Sequence, residues 1–199
     1  MISYLKGKFT SNQPTQMLIE CNGVGYCVYI SLNTYTKTQV LTEGLIHCYF
    51  HVKEDGQTLW GFFDELEREV FVHLISVSGI GPNTARMMLS SLSPEEVQRA
   101  IATDNVSAIQ AIKGIGPKTA KRAILELKEK MGKLVSSNSG TIAATTHNNS
   151  SANIRNEAIG ALIALGFAKN ASDTMVAKVL NMHPDASVED VIKTALKAM

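Results

Sequence analysis

Residues that build metal centres, disulfide frameworks and ATP sites are scarce in this chain. It holds 3 cysteines, Cys21, Cys27 and Cys48. An odd number in strand-like segments, without metal-ligand spacing, points to reduced core thiols in a cytosol, not to a disulfide framework or a zinc site. The histidines (His47, His51, His73, His147, His183) are scattered, and neither His-Glu-x-x-His nor Cys-x-x-Cys occurs. Neither pattern therefore offers a metal. No Gly-x-x-x-x-Gly-Lys-Ser/Thr is present, which excludes ATP hydrolysis by a P-loop. No apolar run is long enough to span a bilayer. Met1-Ile2-Ser3-Tyr4-Leu5-Lys6 alternates like a strand where a secretory leader would be apolar. Excess charge is missing as well, with 19 Lys+Arg against 18 Asp+Glu and a net charge of +1. These absences lead us to expect a cytoplasmic chain without cofactor, metal or membrane contact.

What is present begins with a repeat. Ser78-Gly79-Ile80-Gly81-Pro82-Asn83-Thr84-Ala85-Arg86 is echoed by Lys113-Gly114-Ile115-Gly116-Pro117-Lys118-Thr119-Ala120-Lys121. Each copy reads as a helix end, a Gly-Ile-Gly turn and a new helix opened by Pro, where no N–H is needed. The glycines admit close approach of a ligand, and the free N–H groups of a helix start suit a phosphate oxygen. Lys118, Lys121 and Arg122 add cations in the second copy. A lone Gly-x-Gly is usually just a turn. Two copies of Gly-Ile-Gly-Pro-x-Thr-Ala at a fixed interval are hard to obtain by chance.

The balanced net charge hides a local stripe. Lys113, Lys118, Lys121, Arg122, Lys128, Lys130 and Lys133 face only Glu126 and Glu129 in that segment. A stripe of this kind, and not the overall pI, is the electrostatic footprint of a nucleic-acid binder.

Residues 1–63 read as about five or six short strands, the pattern of a small OB-like barrel. Met17, Ile19 and Cys21 alternate with Leu18 and Glu20, and Val24, Tyr26, Val28 and Ile30 form the next alternating run. Leu45–Val52 and Gln57–Phe63 are joined by Lys53-Glu54-Asp55-Gly56, in which Asp-Gly signals a hairpin. Gly23-Val24-Gly25 has no helix after it, so it reads as a strand-end turn or bulge and not a nucleotide loop.

Residues 64–133 are helical. Asp64 caps the first helix, with Glu67 expected to complete a capping box. Leu66, Val70, Phe71, Leu74 and Ile75 form its buried face. Ser93-Pro94-Glu95-Glu96 opens another helix, and Asp104 is expected to cap the short one before the second turn. The last is expected to end near Met131-Gly132. Residues 134–152, rich in Ser, Asn and Thr, read as a flexible linker. Residues 153–199 show three helical segments, too small for a catalytic domain and suited to docking. The fold class is therefore multidomain α and β.

Glu54 and Asp55 are adjacent carboxylates, which a nuclease could use for Mg²⁺. No further acids converge on them in sequence, and the bland reading is a solvated hairpin tip. A hairpin glycosylase would need an Asp or Lys soon after its hairpin, where this chain has Ala123-Ile124-Leu125. Glu126 fits a salt-bridged helix face. The sequence thus favours a non-catalytic binder over two alternatives, a general duplex-binding protein and a DNA repair enzyme.

The repeat resembles the tandem helix-hairpin-helix module, which implies a grip on duplex phosphates without base reading. The order of barrel, double hairpin, linker and three-helix tail resembles, over the full length, the RuvA family of Holliday-junction-binding subunits. That resemblance implies a homotetramer, or two tetramers face to face, holding a four-way junction open during recombination and repair. It also implies a RuvB-like hexameric ATPase contacted by the C-terminal domain. By position, the phosphate-binding groups it implies are Gly79, Gly81 and Thr84, then Gly114, Gly116, Lys118, Thr119, Lys121 and Arg122. Glu54 and Asp55 fall on the family's acidic pin. Val191, Ile192 and Leu196 are the residues we expect at the ATPase contact. One departure stands out: Asn83 occupies a position usually basic in the family, so the first hairpin is expected to bind phosphate more weakly.

Overall fold

Alternation along the first strands sorts side chains into a barrel interior and an outer face. In the computed structural model, which describes residues 1–54, 56–138, 151–183 and 186–198, five strands form it. They are β1 (Tyr4–Gln13), β2 (Gln16–Cys21), β3 (Val24–Ile30), β4 (Glu43–Lys53) and β5 (Gly56–Phe62), with helix α1 (Leu32–Thr38) between β3 and β4. The strand order β1-β2-β3-β5-β4 closes on itself, with β3 and β5 parallel and the other pairs antiparallel. Closure leaves no exposed sheet edge. Leu5, Met17, Ile19, Val28, Ile30, Ile46 and Cys48 fill the interior.

Two turns fall where the sequence places them, and the expectation for the cysteines is corrected. The β2–β3 turn is made by Asn22 and Gly23, both at positive φ (50° and 84°). Asn-Gly is the pair best suited to such a turn, so Gly23 belongs to a strand-end turn, as the sequence suggests. In the β4–β5 hairpin Lys53 pairs with Gly56. The two strands are therefore joined where the sequence places the hairpin. Of the cysteines only Cys48 is a fully buried core thiol; Cys27 is exposed because it falls on the outward parity of β3, and Cys21, on the inward parity at the end of β2, is half-buried. Burial pushes the Cys48 thiol up to about 12.

Helices α2 (Glu65–Ile75), α3 (Pro82–Ser91), α4 (Pro94–Ala102), α5 (Val106–Gln110) and α6 (Pro117–Asn138) follow. Their core includes Val70, Phe71, Leu74, Met88, Ile101 and Leu127, and it is continuous with Trp60 and Phe62 of the barrel. Phe71 lies 4.8 Å from the Phe62 ring, 5.6 Å from Trp60 and 5.7 Å from Tyr49. Barrel and hairpin helices are thus welded through one aromatic cluster, the kind of contact that adds to plain area burial.

Asp64 caps α2 by accepting the Glu67 N–H at 2.8 Å. The Glu67 side chain does not return the bond. It turns inward, fully buried, and accepts hydroxyl hydrogens from Ser31 and, at 2.7 Å, from Thr34. Thr34 in turn accepts the Phe63 N–H at 3.0 Å. A buried carboxylate needs such partners, and here they outcompete the cap. Ser93 and Glu96 do form a reciprocal capping box at α4.

Asp104 caps no helix. It sits at φ 54° beyond α4, where its N–H and that of Asn105 bond to the carbonyls of Ile101 and Ala100 (3.3 and 2.8 Å), the closure that ends many helices. Asn105 caps α5 instead, accepting the Ala108 N–H at 3.1 Å. Helix α6 runs to Asn138, past the expected stop at Met131-Gly132. One glycine costs a helix only about 1 kcal/mol, too little to end it when Lys133, Leu134 and Val135 follow. Residues 139–150 of the expected linker lie outside the described residues.

The remaining helices form a second compact unit. Its helices are α7 (Ser151–Ala164), α8 (Lys169–Met182) and α9 (Val188–Ala198). Ala158, Leu162, Val176, Val179, Val191 and Ala195 form its core. Gly166 (φ 99°) ends α7, as expected, and Ser187 caps α9 by accepting the Asp190 N–H at 3.2 Å.

Candidate nucleic-acid interface

The two Gly-Ile-Gly turns are built alike. Val77 and Ile80, and equivalently Ile112 and Ile115, are buried plugs that hold each turn on the helical core. The Ile80 N–H bonds to the Val77 carbonyl at 3.0 Å, and the Ile115 N–H to the Ile112 carbonyl at 3.1 Å. Gly79 and Gly114 take positive φ (95° and 91°), which an L side chain rarely adopts. Ala85 N–H to Gly81 and Ala120 N–H to Gly116, both at 2.9 Å, begin the helices that follow.

The turns also pack on each other's helices. A Cβ on Gly79 would stand 3.5 Å from Thr119 Oγ1, and one on Gly114 would stand 3.5 Å from Met87 Cε. Gly79, Gly81, Gly114 and Gly116 are all exposed. Among the described residues, the Gly79 and Gly81 amides have no hydrogen-bond partner, and the α3 N-terminus has no side-chain cap. Unpartnered amides at a helix start, carrying its positive dipole end, make a receptor for an anion.

The two copies differ in their cations. In the second, Lys118 and Lys121 are exposed and unpaired among the described residues, while Arg122 lies 3.8 Å from Glu126. In the first, Asn83 stands opposite Lys118. Arg86, the counterpart of Lys121, turns away from the hairpin. Its Nη1 donates to the Thr15 carbonyl at 3.2 Å, and its guanidinium lies over Trp60 (5.6 Å) and Tyr29 (5.7 Å). The first hairpin therefore presents amides and Thr84, and no cation of its own. Lys128, further along α6, is ion-paired to Asp104.

Three family models tile the chain. Residues 1–61 match "RuvA N terminal domain", 71–129 match "SAM-like Helix-hairpin-helix tandem", and 153–199 match "RuvA, C-terminal domain". Relatives named "Holliday junction branch migration complex subunit RuvA" match it end to end. That of Bacteroides fragilis is 46% identical, covering 100% of both chains. Those of Christiangramia forsetii and Cytophaga hutchinsonii are each 44% identical, covering 100% and 99% of both chains. The chain belongs to the RuvA family.

The other residues expected at RuvA sites are less closely grouped. Glu54 is exposed at the β4–β5 tip, and Asp55 lies outside the described residues. Val191 is fully buried in the three-helix core and cannot be a contact residue. It occupies an inward position of α9, which the apolar spacing alone did not separate from an outward one. Ile192 is half-buried, and Leu196 is 41% exposed. Sequence reasoning missed Glu67 and the diversion of Arg86. Nothing local marks either one, since Arg86 aligns with Lys121 in the repeat. Among the described residues there is no cluster of His, Cys, Asp and Glu fit for a metal, and no helix long and apolar enough to cross a membrane.

Proposed function

We propose that this chain binds four-way DNA junctions as a homotetramer and holds them open for branch migration. The observation that carries this reading is the pair of matching turns, side by side, with exposed glycines and a cation-bearing second copy. Each grips a backbone phosphate through amides, Thr84 or Thr119, and in the second through Lys118, Lys121 and Arg122. Such contacts carry no sequence information, which suits a ligand defined by shape. The names of the full-length relatives support the same reading. The sequence carries no P-loop, and a RuvB-like ATPase docked on the C-terminal domain would drive migration. The exposed Leu196 and its neighbour Ile192 are the candidates for that contact.

Glu54 and Asp55 would act as an acidic pin. A carboxylate and a phosphate about 4 Å apart repel by roughly 1 kcal/mol in bulk water and about 4 kcal/mol at an effective dielectric near 20. Carboxylates ringing the centre of a tetramer would penalise a continuous duplex laid across it and tolerate a junction, whose strands part there.

A gel-shift comparison of four-way junction and matched duplex, with and without Mg²⁺, tests the reading. We expect junction preference without cleavage; equal binding of both, or cleavage, would overturn it. Glu54→Gln with Asp55→Asn should tighten duplex binding and shrink the junction preference. Unchanged duplex affinity and migration in that variant would remove the pin from the mechanism.

A further inference from the structure

Between strand β4 and the first hairpin lies a cleft of about 370 Å³, lined by Tyr49, His51, Lys53, Ser76, Gly81 and Pro82. Its remaining walls are aliphatic. One edge is Gly81, whose amide is unpartnered among the described residues. Another is His51, whose ring stacks beside Tyr49 with centroids 6.0 Å apart. His51 Nε2 is shielded from solvent and has no hydrogen-bond partner among the described residues. A shielded polar atom without a partner is uncommon in folded proteins and calls for an explanation. Lys53 is exposed at the same rim, two positions along the strand, on the same face as His51.

We propose that this cleft is a phosphate subsite that completes the first hairpin. A DNA backbone phosphate held by the Gly81 amide also accepts a hydrogen bond from His51 Nε2–H once the imidazole rotates toward the cleft, with the Lys53 ammonium alongside. This pair stands in for the cation that Asn83 does not provide and that Arg86 has given to the barrel. The inference rests on the hairpins gripping phosphate, as proposed above. It adds that the barrel strand leading to the acidic tip is itself part of the grip. Strand β4 then fixes the distance between a bound phosphate and Glu54 through its own rigid backbone.

The test is a fluorescence titration of the full-length chain on a labelled four-way junction over a range of salt. His51→Leu should weaken binding about fivefold, the worth of one hydrogen bond, while His51→Gln, which keeps an N–H, should weaken it less. Asn83→Lys should restore His51→Leu and steepen the log-log salt slope by about 0.9 for each hairpin engaged. In the unaltered background Asn83→Lys should add little, because the phosphate is already held. This comparison is made within each background, so it does not depend on how well Leu is tolerated at position 51. Unchanged affinity in His51→Leu, or an equal gain from Asn83→Lys in both backgrounds, would overturn the subsite. Lys118→Ala separates the two readings. If it weakens binding and His51→Leu does not, the subsite falls and the hairpin grip stands. If Lys118→Ala has no effect, the grip reading itself falls.

Discussion

Arg86 shows how a residue of the binding repeat can be taken up by the scaffold. Its bond to Thr15 and its place over Tyr29 and Trp60 make it a clamp between α3 and the barrel. Arg86→Ala should cost about 1–2 kcal/mol of unfolding free energy, from one hydrogen bond and two partly exposed cation–π contacts. It should leave the salt slope of junction binding unchanged; a flatter slope in that titration would make it a phosphate ligand after all. Lys118→Ala should do the reverse, flattening the slope with no change in melting temperature, and should hurt binding more than Asn83→Ala does.

Glu67 sets a pH dependence at the same scale. Burial holds its carboxyl above its ordinary value, while the hydroxyls of Ser31 and Thr34 pull it back. A carboxyl with a raised folded pKa favours folding most below its unfolded value of about 4.3. That contribution is lost as pH rises through the folded value. Glu67→Gln removes the titration and keeps an acceptor for a hydroxyl. The melting temperature of the variant relative to the native chain should therefore climb as pH is raised from acid to neutral. A difference that stays level across that range would show that Glu67 titrates as it does in the unfolded chain.

The turns separate shape from contact at the level of elements. Gly79 and Gly114 are required by their positive φ, so Ala at either should cost about 1–2 kcal/mol in denaturant unfolding. Gly81 and Gly116 have open space where a Cβ would go. Ala there should cost less stability and still weaken junction binding, because the Cβ stands where the phosphate approaches. Equal losses of stability at all four glycines would contradict this division. Most of this was legible beforehand. The glycines, prolines and buried isoleucines act within a few residues of one another, which is the range of turn and cap chemistry. The end of α6 was not legible, because a lone glycine is a weak signal against a run of good helix formers.

For the whole molecule, the two compact units imply a division of labour. A fragment ending at Asn138 keeps the barrel, both hairpins and all of α6. It should bind junctions with native affinity and fail to support migration by the ATPase proposed to dock on the three-helix unit. Loss of junction binding by a fragment that melts cooperatively would show that the three-helix unit shares in DNA contact.

The sequence by itself determined the barrel, the paired turns and the three-helix tail. Each is written in local periodicity, turn residues and caps, which need no knowledge of distant neighbours. Tertiary structure alone decided which charges are available. Arg86 and Glu67 look like a hairpin cation and a cap residue until Thr15, Trp60, Ser31 and Thr34 are brought against them. His51 became a candidate ligand only when β4 was laid beside the first hairpin. The physical reason is that a charge or a donor is disposed of by whatever partner lies within hydrogen-bond reach, and such partners come from anywhere in the chain.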